Sequence, residues 1–115
     1  MYADEMDALF HALSHADRRH MLDIVRNMPG CSVNDVTKYF KISRIAVLKH
    51  LQVLEKARLI LSRKTGRVRS LYFNAAPIQM IYDRWTTEYS KFWASTVTDL
   101  KYVTEALQAE RKPHG

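Results

Sequence analysis

The chain has 115 residues and is 47% hydrophobic, which suits one compact domain with a real core and excludes two domains or a disordered chain. No apolar run approaches the roughly 18 residues of a membrane span. The acidic start MYADEMDALFHAL lacks the features of a secretion signal, and the single cysteine, Cys31, has no internal disulfide partner, so a cytoplasmic protein is expected.

The net charge of +6 is unevenly placed. Residues 1–40 carry four Lys/Arg against six Asp/Glu, residues 41–72 nine against one, and residues 73–115 five against five. A solvated basic face is one reading of such a block. In a chain balanced elsewhere, the better reading is the electrostatic footprint of a nucleic-acid partner.

Taken in chain order, Met6, Leu9, Phe10 and Leu13 form a helical stripe from Asp4 to Leu13. SHAD breaks it. A second helix is expected from about Ala16 to Asn27, with Met21, Leu22 and Val25 inward, Arg18 and Arg19 outward, and Pro29-Gly30 as its stop. Ser32 suits an N-cap with Asp35 in the first turn, opening a short third helix that ends near Tyr39-Phe40. Ser43 caps a fourth helix. There Val47, His50, Leu51, Leu54 and Ala57 fall within about 80° of one direction and form the buried side. The other side mixes Arg44, Lys49, Gln52 and Lys56 with the aliphatic Ile45 and Leu48.

The period then changes. LILSRKTGRVRSLYFNA reads as a hairpin around Thr65-Gly66 with Arg63, Lys64, Arg67 and Arg69 near its turn. Pro77 suits the first turn of a long last helix with a stripe through Ile78, Ile81, Tyr82, Trp85, Tyr89, Phe92, Trp93, Thr96, Leu100, Val103 and Leu107. The fold class is therefore mainly α with a small β-hairpin wing, a winged helix-turn-helix of five or so helices. The boundaries expected are one domain over residues 1–108 and a flexible tail over 109–115.

A duplex accounts for the mixed face of the fourth helix. Arg44 in its first turn can reach a base edge and pairs well with guanine, while Ile45 and Leu48 can meet thymine methyls. Ile45 also fits a staple at the helix start, and Leu48 a contact with a neighbouring element. Lys49 and Lys56 suit phosphates, Gln52 shares their face, and Ser43 can present the helix N-terminus to a phosphate. Of the wing cations, strand alternation lets only some face one duplex, and Arg67 near the tip is the best placed.

ALSHADRRHMLDIV, SRIAVLKHLQVLEKARLI, GRVRSLYFN and IYDRWTTEYSKFW, in this order, resemble the ArsR/SmtB winged-helix repressors over about residues 5–105. The IYDRW segment is similar to the subgroup associated with START-like (SRPBCC) proteins. The resemblance implies a homodimer that binds an operator and is released by an effector. The metal-sensing members carry a Cys-x-Cys motif before the recognition helix. Here VNDVTKYF stands in its place, the last helix has no histidine before His114, and His11, His15, His20 and Cys31 show no ligand spacing. A metal-independent regulator without cofactor is expected. The family usually has Gly where Arg58 stands, which requires either positive φ at Arg58 or a different helix end.

The last helix is too long for a small wing domain to cover. Met6, Leu9, Phe10 and Leu13 of the first helix, with Trp85, Tyr89, Phe92, Trp93 and Leu100 of the last, are the expected dimer interface, and a small effector cavity there is compatible with it. His50 reads as a core histidine bonded to backbone. Cys31 precedes an N-cap and reads as either an inert thiol or a redox sensor of lowered pKa. A protein-binding module using Ile45 and Leu48 as an apolar anchor is the competing function. No Gly-rich phosphate loop, activated nucleophile or paired catalytic acids suggest an enzyme.

Overall fold

The computed structural model describes residues 1–111, with side chains outside 88–99 and 110–111. Its elements run α1 (Ala3–Leu13), α2 (Ala16–Asn27), α3 (Val33–Thr37), α4 (Arg44–Lys56), β1 (Ile60–Thr65), β2 (Val68–Phe73) and α5 (Ala76–Arg111). The two strands pair antiparallel, and the whole is a winged helix-turn-helix. Residues 1–81 form one compact unit, and the rest of α5, from Tyr82 onward, forms a second. Among the described residues no helix is long and apolar enough to cross a membrane.

Local chemistry sets the helix ends. Ser32 and Asp35 make a reciprocal capping box at α3: the Asp35 N–H donates to Ser32 Oγ (3.1 Å) and the Ser32 N–H donates to Asp35 Oδ2 (2.9 Å). These bonds hold the Asp35 carboxyl below its ordinary range. α3 stops at Thr37, short of the expected Tyr39-Phe40. There the Tyr39 and Phe40 N–H groups donate three residues back, to the Val36 and Thr37 carbonyls. This tightens the chain and lets Phe40 pack on the core.

α4 ends in a left-handed turn at Arg58, whose φ is 60°. The Arg58 N–H donates to Glu55 O and the Leu59 N–H to Leu54 O, so the terminal carbonyls are satisfied as a glycine would allow. Asn74 Nδ2 donates to Arg58 O at 2.8 Å and pins the turn to the wing exit. Of the two alternatives for Arg58, positive φ is the one adopted.

The core joins Leu9 and Ala12 of α1, Met21, Leu22, Ile24 and Val25 of α2, Val33 and Val36 of α3, Val47, Leu51 and Leu54 of α4, and Leu59, Ile60 and Leu71 around the wing. Two expectations are corrected here. Leu9 is 1% exposed; it is consumed by its own core and unavailable to a second subunit. Arg18 is 7% exposed rather than outward, because its guanidinium finds carbonyl partners at the end of α1. Met6 and Leu13 are half-buried and Phe10 is exposed.

In the second unit, α5 continues to Arg111, past the expected boundary at 108. Residues 112–115 of the expected tail lie outside the described residues. Trp85, Leu100, Val103 and Leu107 are exposed. Tyr89, Phe92, Trp93 and Thr96 lie outside the described side chains.

Positive φ at a side chain larger than glycine costs about 1 kcal/mol. Arg58→Gly is therefore expected to raise the unfolding free energy by roughly that amount in urea denaturation. An unchanged or lowered midpoint would show that the turn carries no strain.

Candidate nucleic-acid interface

Ser43 Oγ accepts the Ala46 N–H at 3.1 Å and fixes the start of α4. Beyond it Arg44, Ile45, Lys49, Gln52 and Lys56 are exposed, with Ile45 69% so. Leu48 is different: it is half-buried and packs on the core, the neighbour contact that the sequence left open. Its outer edge still helps line a groove of about 530 Å³ with Val33, Arg44, Ser62, Lys64, Arg67 and Arg69. The groove therefore runs between the recognition helix and the wing.

The wing register decides which cations reach that groove. Lys64 is opposite Arg69 and Ser62 opposite Leu71, so these four share one strand face, the face whose Leu71 enters the core. Arg63 is opposite Ser70 and lies on the other face, away from the groove. Gly66, at φ 63°, and Arg67 form the turn itself. Arg69 is drawn back by an ion pair with Glu55 of α4, which also ties the wing to the recognition helix. Sequence reading missed Glu55, the one acid in the basic block. It also missed Asn34, whose Oδ1 accepts the Arg44 Nε–H at 3.0 Å. Neither partner was legible, because each pairing joins separate elements.

Behind the groove lies a second polar cluster. Arg18 Nε donates to Ala12 O at 2.9 Å, Nη2 to His11 O at 2.8 Å, and Nη1 lies 3.3 Å from His50 Nδ1. His50 thus meets a side chain, not the backbone bond expected for it. His15 caps α2, its Nδ1 accepting the Asp17 N–H at 3.1 Å, and its ring lies 4.6 Å from that of His50. His20 instead packs on the Phe40 ring.

His15, Asp17 and His50 place ligand atoms within 4.8 Å of one another, a grouping that sequence spacing concealed. Their hydrogen bonds do not fit a metal. A guanidinium only donates, so His50 Nδ1 accepts and its proton sits on Nε2; the backbone N–H fixes the same tautomer at His15. Each ring has spent its lone pair, and the Arg18 cation stands beside the gap. Metal-bound histidines have the reverse arrangement, the second nitrogen donating to an oxygen.

Cys31 is buried and forms a bridge with Leu71: the Leu71 N–H donates to Cys31 O and the Gly30 N–H to Leu71 O, both 2.8 Å. Burial, then the Asp35 carboxylate, raises its thiol pKa. A redox sensor needs an accessible thiolate, so of the two readings of Cys31 the inert thiol is the one that its burial favours.

No family model matches the chain. An uncharacterised HTH-type transcriptional regulator of Bacillus subtilis, YuzN, is 39% identical over 85 residues, which cover 69% of this chain and 92% of that protein. The chain belongs to the helix-turn-helix transcriptional regulators. The transcriptional repressor SdpR of the same organism is 27% identical over 74 residues, 64% of this chain and 81% of its own. A crystal structure of an ArsR family transcriptional regulator superposes with a TM-score of 0.68 at 27% identity, covering 83% of this chain and 96% of that one. An ArsR-like regulator from Rhodococcus sp. RHA1 follows at 0.63 and 24% identity, over 87% of this chain and 92% of its own, a likeness of fold. The chain thus shares its fold with ArsR family regulators, and the relatives it matches are named as transcriptional regulators.

In this regulator burial, then His15 and Arg18, lower the His50 pKa below its ordinary 6.5, against a smaller opposing effect of Asp17. A lowered folded-state pKa gives stability that is complete above the unfolded value and is lost as pH falls from about 6.5 through the folded value. Wild type is expected to lose stability over that acid window, and His50→Gln, which keeps an acceptor for Arg18, to lose less. Thermal melts from pH 8 to 5 check this; parallel profiles would contradict it.

Proposed function

We propose that this protein is a homodimeric, metal-independent repressor of the cytoplasm that binds an inverted-repeat operator through α4 and the wing. The observation that carries the reading is the groove between them, where Arg44, Lys64, Arg67 and Arg69 converge beside an apolar wall from Leu48. A duplex major groove offers both phosphates and thymine methyls to such a surface. Arg44 reads a guanine, Ile45 a thymine methyl, and Lys49, Gln52 and Lys56 follow the backbone. Arg67 enters from the wing tip. Arg63 serves a distant phosphate at most, since it faces the other way.

The exposed apolar residues of α5, Trp85, Leu100, Val103 and Leu107, support dimerisation, with Phe10, Met6 and Leu13 of α1 contributing. Two-fold symmetry would then present two recognition helices to half-sites about one turn of DNA apart. Repression follows the naming of SdpR as a repressor. Metal independence is supported by the tautomers that His15 and His50 are held in and by the lack of Cys or His in α3. The IYDRW segment supports the START-like-associated subgroup. An effector, where one acts, has a cavity of about 180 Å³ available at the end of α4, walled by Met1, Ala57, Arg58, Pro77 and Met80.

The protein-docking alternative is weaker, because half-burial of Leu48 leaves Ile45 as a lone anchor. Fluorescence anisotropy on the protein's own upstream DNA tests the proposal. Log affinity is expected to fall steeply and linearly with log salt, Lys49→Ala to flatten the slope by about one ion, and Arg44→Ala to weaken binding at a specific base pair. Binding that is absent or indifferent to salt would reject it.

A further inference from the structure

Arg44 is the first residue of α4, and an arginine there would ordinarily sweep a wide arc on its flexible stem. Here it is held. Its Nε–H donates to Asn34 Oδ1 at 3.0 Å, and Asn34 sits on α3, the other helix of the helix-turn-helix. The support beneath Asn34 is firm. The Ser32–Asp35 capping box fixes the first turn of α3, and the flanking Val33 and nearby Val36 are both buried in the core. The Arg44 end is equally fixed by the Ser43 cap.

A guanidinium is planar and carries five N–H donors in a rigid fork. Anchoring it at Nε leaves both Nη groups unpaired among the described residues and fixes the plane in which their two parallel N–H bonds lie. Guanine presents two acceptors, O6 and N7, on its major-groove edge, which is the pattern such a pair of donors matches. The acceptor on α3 is a neutral amide. A carboxylate would hold the guanidinium as well but would cancel its charge beside the phosphates.

We propose that Asn34 is a positioning residue for sequence recognition: it orients the Arg44 guanidinium so that its two Nη groups read one guanine of each half-site. This rests on the DNA-binding reading given above and adds a residue outside the recognition helix to it. Arg44 makes the contact; Asn34 sets its geometry without touching the base.

The test uses the full chain. Selection from a randomised duplex pool defines the operator, and comparison with Arg44→Ala marks the base pair whose preference depends on Arg44. Anisotropy is then measured on the operator and on duplexes changed at that pair, across salt concentrations. Asn34→Ala is expected to lose at least about five-fold of the discrimination at that pair, with an unchanged salt slope and melting temperature. Asn34→Asp, which keeps the acceptor oxygen, is expected to retain the discrimination while binding every duplex more weakly. The proposal is overturned if Asn34→Ala discriminates as wild type does. It is also overturned if that variant loses affinity equally on all duplexes, or if Arg44→Ala shifts no base preference. Failure of the wild type to select any duplex would instead reject the DNA-binding reading, and this proposal with it.

Discussion

The buried guanidinium of Arg18 is the constraint on which the placement of the recognition helix depends. It closes the end of α1 by donating to the Ala12 carbonyl and to the His11 carbonyl, which also accepts from the N–H and Oγ of the Ser14 cap, and its third contact is His50 in the middle of α4. One side chain of α2 thus fixes two other helices. A buried cation is tolerable only with its donors satisfied. The adjacent Arg19, exposed, closes the last carbonyl of α1 at Leu13. With the inner face of α4 held by Val47, Leu51 and Leu54, its outer face is left to display charge.

That display is selective. The block of residues 41–72 carries nine cations, but the fold assigns them different tasks. Arg58 occupies a helix end, Arg63 faces away, and Arg69 is shared with Glu55. Arg44, Lys64 and Arg67 line the groove. An interface that reads DNA needs fixed donors more than many donors, since phosphate contacts alone carry no sequence information. The Glu55–Arg69 pair, though it lowers the local charge, joins the wing to α4 beside the groove.

Much of this was legible in the sequence, for physical reasons. Ser32 and Ser43 are strong caps, Pro29-Gly30 and Gly66 are turn residues, and the periods of α4 and the wing differ, so element order followed from local chemistry. Val47, Leu51 and Leu54 were placed inward by helical angle alone. What escaped was contact between elements. Arg18 looked exposed because its partners are carbonyls, which no side-chain pattern encodes. Leu9 was assigned to a second subunit because an apolar stripe does not say which neighbour covers it. The place of Cys31 before a helix leaves an inert thiol and a redox sensor both open, and its bridge to Leu71 and its burial decide for the inert one. His15 and His50 lie 35 positions apart in the chain, so no local spacing could announce their contact.

The central claim is that DNA occupies the face formed by the start of α4 and the wing. Titration of isotope-labelled protein with a duplex from its own upstream region, followed by amide chemical shifts, tests it most directly. The account predicts that the largest changes fall on residues 43–52 and 62–69 and on Asn34, with α2 nearly unaffected. Changes concentrated on α1 and the cavity at the end of α4, with the groove unperturbed, would contradict it.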